Sequence, residues 1–180
     1  MTEPKDILIS NLKEAFNQLQ RYMVFGLGTS LFLLILAGTE PGRLNGDSLG
    51  IKLPGEFFPV PVSVSVAVSV VVSAYWIVGW LATIGVSRAN HIVEGLRDAP
   101  ELLEAALTYP SIPTMKVHGP RIGLAFIPAL FVGLAAFISG HRPHSFIEVF
   151  ALIMLLLPYL LLTGRLWTAV GGQRPDKYGD

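Results

Sequence analysis

Four stretches of this chain are almost free of charge: residues 22–38, 59–87, 122–140 and 145–164. Runs this apolar cannot serve as the half-wetted faces of a soluble domain, and their length suits the hydrocarbon layer of a bilayer. The first, YMVFGLGTSLFLLILAG, is 17 residues, roughly 26 Å as a helix. The second is long enough to tilt or protrude. The third and fourth are separated by only His141 to His144 and predict a tight antiparallel hairpin. Charged residues are 14% of the chain, against roughly 25% in ordinary soluble domains.

The second run contains one conflict. Val60, Val62, Val64, Val66, Val68 and Val70 alternate with Pro61, Ser63, Ser65, Ala67 and Ser69, the period of a strand. A lone strand in lipid leaves its backbone groups unpaired at several kcal/mol each, so a helix is expected, with irregular first turns around Pro59 and Pro61.

The basic residues orient the spans. With the N-terminus inside, the inner segments carry Lys5, Lys13, Arg21, Arg88, Arg97, Lys116, Arg121, Arg165, Arg174 and Lys177, and the outer loops carry Arg43, Lys52 and Arg142. That bias predicts cytoplasmic termini. Met1 to Gln20 are polar, and no small-residue cleavage site closes the first run, so it reads as a retained span rather than a secretory signal.

Two inner segments are amphipathic. Leu8, Leu12, Ala15, Phe16, Leu19 and Met23 recur at helical spacing, predicting a helix over 6–20 that leads into the first span. Ile92, Val93 and Leu96 share a face, and Asp98, Pro100 and Glu101 form a helix-start signal for a short helix over 99–108. Such helices either lie on the membrane or a partner, or fold over the inner end of their own bundle. The predicted fold is therefore all-α: one four-span membrane domain with N-terminal and inner-loop amphipathic helices.

Candidate chemistry is sparse. His141, His144 and Glu148 sit at i, i+3 and i+7, and imidazole with carboxylate suits zinc or copper. Pro143 interrupts the helix that would align them, and a polar turn between spans accounts for the same residues. Glu148 is the acidic residue placed inside a span, where a carboxylate by default suggests function, although snorkelling to the outer interface also satisfies it. Small residues form stripes at Ser65, Ser69 and Ser73, at Gly26 and Ser30, and at Ala125, Ala129 and Gly133. Such stripes permit close helix approach; the alternative is a weakly polar pore lined by the second span. Pro128 and Pro158 are expected to bend their helices and free backbone carbonyls.

Several classes are excluded or disfavoured. The chain has no cysteine and a formal net charge of zero, so disulfide, thiolate and Cys-ligated metal chemistry are absent and nucleic acid is not an expected partner. The four histidines lie at span ends or in loops, which disfavours bis-histidine haem. Zinc-protease, nucleophile-elbow and phosphate-loop motifs are missing, and no cofactor is expected. The expectation is a non-enzymatic subunit in the lipid bilayer that assembles with itself or with other membrane subunits. The rival is an oligomeric channel or membrane-disrupting effector with the 59–87 helix lining the pore, and a weaker rival is metal binding by the outer histidines.

Overall fold

The computed structural model describes residues 4–39, 48–49, 62–96, 101, 118–139 and 145–171. Among these residues four helices dominate: α1 (Pro4–Thr39), α2 (Val64–Gly95), α3 (His118–Ile138) and α4 (Phe146–Gly171). Three of them contain segments long and apolar enough to cross a membrane, within Asp6–Gly38, Val66–Gly95 and Phe146–Trp167. The apolar part of α3, Ile122–Ile138, is shorter.

The alternating valines resolve in two parts. Val62–Ser63 forms a short strand, β2, paired antiparallel with β1 (Ser48–Leu49), with Leu49 opposite Val62. From Val64 onward the same alternation is helical. The second helix thus begins inside the predicted 59–87 run rather than at its edge, and residues 59–61 lie outside the described ones. β-Branched residues cost a helix little once its backbone must pair within itself.

α1 and α2 run antiparallel. Leu12, Ala15 and Phe16 pack with Ala89, Val93 and Leu96, and Leu19 lies nearest Gly85. α2 and α4 run parallel, since Trp76 meets Met154, Thr83 meets Pro158, and Ser87 meets Arg165. α3 lies against α1 and α4, so the helices form a ring in the order α1, α2, α4, α3. The central core gathers Met23 and Leu33 of α1, Tyr75 and Ala82 of α2, Ala125 and Val132 of α3, and Tyr159 and Leu162 of α4.

Two helices exceed their predicted apolar runs at the end of the bundle where α1 begins and α2 finishes. α1 has 36 residues and α2 has 32, roughly 54 and 48 Å. The 6–20 segment is continuous with α1, and α2 continues past Ser87 to Gly95. The buried face of 12–19 lies on the last turns of α2, while Lys13, Glu14 and Gln18 are exposed. The predicted short helix over 99–108 falls, apart from helical Glu101, outside the described residues.

Candidate functional site

Side-chain hydrogen bonds link α2 to α4 around Tyr159. Proline in a helix interior lacks the N–H that would bond the carbonyl four residues earlier. Pro158 therefore leaves the Met154 carbonyl without its helical donor, and the indole N–H of Trp76 donates to that oxygen at 3.1 Å. One turn along, the Thr83 hydroxyl reaches the Pro158 carbonyl and the Gly79 carbonyl of its own helix, each at 2.9 Å. The Tyr159 hydroxyl donates to the Tyr75 carbonyl at 3.3 Å, and the two rings stack with centroids 4.5 Å apart.

Glycine makes room for this ring. A Cβ on Gly79 would stand 2.6 Å from Tyr159 Cε2 and 2.8 Å from Pro158 Cβ. A Cβ on Gly26 would collide with the Tyr159 hydroxyl, with Cε1 and Cζ both at 2.9 Å. Tyr159 thus reaches across the ring from α4 to the diagonally opposite α1, and a larger residue at either glycine overlaps it. Toward the C-terminal ends of α2 and α4, Arg165 Nη1 donates to Ser87 Oγ and lies 3.5 Å from the Thr83 carbonyl. Ser87 Oγ in turn donates to that carbonyl at 3.1 Å. Among the described residues, the Tyr75 hydroxyl and the Trp80 indole N–H are buried without a hydrogen-bond partner. Trp80 sits edge-on to Trp76.

These contacts are hydroxyl, indole and guanidinium donors placed on backbone carbonyls and a serine. They contain no nucleophile beside a base, and the arrangement serves as a polar clamp between α2 and α4.

The residues singled out from the sequence are dispersed. Gly26, Ser30, Ala125 and Ala129 are buried, and Ser30 Oγ donates to the Leu27 carbonyl at 2.9 Å. Ser69 and Ser73 lie on the exposed side of α2. Ser65 is helical. Gly133 is half-buried, and an added Cβ there meets nothing within 4 Å. His141 and His144 lie outside the described residues. Glu148 is exposed in the first turn of α4, and its backbone N–H donates to Ser145 Oγ at 3.3 Å. Ser145 is thus the N-cap of α4, and Glu148 occupies the third helical position, the arrangement of a capping box. Tyr159, Tyr75, Gly79 and Thr83 were not marked by spacing or charge; the available signal was a tyrosine next to a proline within an apolar run.

No protein-family model, curated protein or solved structure matches this chain at a significant level.

Proposed function

We propose that this chain is a non-enzymatic membrane subunit that inserts as a four-helix bundle with cytoplasmic termini and assembles through the outer halves of α2 and α4. The reading rests on one observation above the others: none of residues 145–154 of α4 is buried, although most are apolar. Phe146 is 84% exposed and Ile147 77%, on different sides of the same turn. A helix apolar and uncovered on every face needs a nonaqueous surrounding, whether lipid or another subunit. On α2, Val66, Ser69, Val70 and Ser73 are exposed at the same end, and small residues there allow a second helix to approach closely.

α3 counts as the fourth span in this reading. It has 21 residues, roughly 32 Å, which matches the hydrocarbon thickness when its polar first turn sits at the interface. The α1 stripe and the Ala125 and Ala129 part of the α3 stripe are occupied within the chain, because Gly26, Ser30, Ala125 and Ala129 are buried. That leaves the α2 stripe for assembly. The metal alternative has less to support it, since Glu148 lies in the first turn of α4, where a carboxylate is favoured by the helix N-terminus without any metal.

The experiment is native mass measurement of the purified protein in neutral detergent, with and without Ser69→Leu. The wild type is expected as an oligomer, or bound to other membrane subunits, and Ser69→Leu as mostly monomer. A wild type that is monomeric and alone at every protein-to-detergent ratio sinks the assembly reading.

The exposure of Ser69 and Ser73 also favours one form of the channel reading. A pore lined by these hydroxyls has to lie between copies of the chain rather than within one bundle.

A further inference from the structure

An open groove of about 450 Å³ runs along α1, lined by Asn17, Gln20, Arg21, Val24 and Phe25. The helix itself dictates its character. Residues 17, 20, 21, 24 and 25 fall on one side at spacings of three and four, and the sequence switches from polar to apolar at Tyr22. The groove therefore has an amide and guanidinium end and an aliphatic and aromatic end, in the order found along a phospholipid at the bilayer surface.

Arg21 supplies the charge. It is exposed, and it forms no hydrogen bond or ion pair among the described residues. The nearest preceding carboxylate, Glu14, accepts from the Gln18 amide at 3.0 Å. Arg21 is the last charged residue before the apolar run of α1, so on insertion its guanidinium stands at headgroup level, while Val24 and Phe25, 55% and 53% exposed, face the first acyl carbons. A guanidinium matches a phosphate in both charge and fork geometry.

We propose that this groove is a binding site for an anionic phospholipid of the inner leaflet, with the phosphate on Arg21 and the acyl chain on Val24 and Phe25. The site rests on the membrane reading above and adds to it a selectivity among lipids.

The test uses the full chain in neutral detergent. Phosphatidylglycerol or phosphatidylcholine of matched chain length is added, and retained lipid is counted by native mass spectrometry. The wild type is expected to retain phosphatidylglycerol about fivefold better, the effect of one basic residue at a membrane surface. Arg21→Gln is expected to bring the two lipids level, Arg21→Lys to keep most of the preference, and Arg88→Gln, an exposed control on α2, to leave it unchanged. An Arg21→Gln variant that keeps the wild-type preference overturns the site. So does displacement of phosphatidylglycerol by excess inorganic phosphate, which would mark a bare anion site. Vesicle flotation after an alkaline wash reports on insertion separately: loss of the protein from phosphatidylcholine vesicles rejects the membrane reading, whatever the lipid ratio in detergent.

Discussion

The indole of Trp76 donates its hydrogen bond to the carbonyl of Met154, the backbone acceptor that Pro158 leaves without a helical donor. A defect in one helix is thereby satisfied by a side chain of its neighbour. An unpaired carbonyl has no water to turn to inside an apolar layer, so this pairing ties the register of α2 to the position of the proline.

Removing the indole should therefore matter only while the proline is present. Trp76→Phe is expected to destabilise the bundle by about 1–3 kcal/mol, the cost of a carbonyl left unsatisfied where the proposed apolar layer offers no water. In a Pro158→Ala background the new backbone N–H can bond Met154, and the same substitution should cost clearly less. Thermal unfolding of the four proteins in one detergent measures the coupling. Additive effects would mean that the two residues act independently.

The glycine notch yields a second prediction. Gly79→Ala is expected to cost about 1–3 kcal/mol through overpacking, because Pro158 Cβ and the Tyr159 ring close in from the same side and neither is flexible. Gly133→Ala, where an added methyl meets nothing, serves as the control and should be close to neutral. At Gly26 the first atom met is the Tyr159 hydroxyl, so Tyr159→Phe should recover part of the loss caused by Gly26→Ala. Midpoints of unfolding in a denaturing detergent titration decide the order.

Orientation is open to direct labelling, since the chain has no cysteine of its own. Single cysteines at Ser48, Ser111 and Ser145 can be probed in intact cells with an impermeant reagent. The basic-residue bias predicts that Ser48→Cys and Ser145→Cys react and Ser111→Cys does not. The opposite pattern would reverse the topology.

How much of this was legible beforehand differs by feature. The charge-free runs mark all four helices, because a long stretch without charge sets each apart from the polar segments around it. Where the helices end is harder to read. α1 and α2 extend past those runs because Leu12 and Phe16 pack on Ala89 and Val93, a pairing of residues more than seventy positions apart. The valine alternation carries both its strand and its helix, and the strand part is the one paired with Ser48–Leu49, a partner that the alternation itself does not reveal. Ser145 and Glu148 are the S-x-x-E of a helix start, a pattern that shares its carboxylate with the histidine spacing and so admits two readings. The clamp around Tyr159 is the least legible part. Its notch is divided between Gly26 and Gly79 on separate helices, and a glycine in an apolar run looks the same whether it faces lipid or a ring.

Pore and scaffold make opposite claims about Ser69. In a pore between copies the side chain meets water, and Ser69→Asp should assemble and change the conductance. In a packed interface the carboxylate is buried without a partner, and the variant should fail to assemble. The expected outcome is failure of assembly, because the exposed α2 neighbours of Ser69 include Val66 and Val70. Planar-bilayer recordings, run beside the native mass measurement, separate the two: reproducible currents whose size shifts in Ser69→Asp would defeat the scaffold.

Tyr159 also bears on the order in which the chain is made. Its two glycines belong to the α1–α2 hairpin, while the ring arrives with α4, which is synthesised after both. Until then Gly26 and Gly79 present bare backbone across an unfilled gap, and the Met154 carbonyl has not yet met its indole. A polypeptide truncated before α4 would keep that gap for its whole lifetime. Such a fragment exposes the kind of membrane-depth vacancy that proteolytic surveillance can recognise, and it should turn over faster than the intact chain in a pulse-chase comparison.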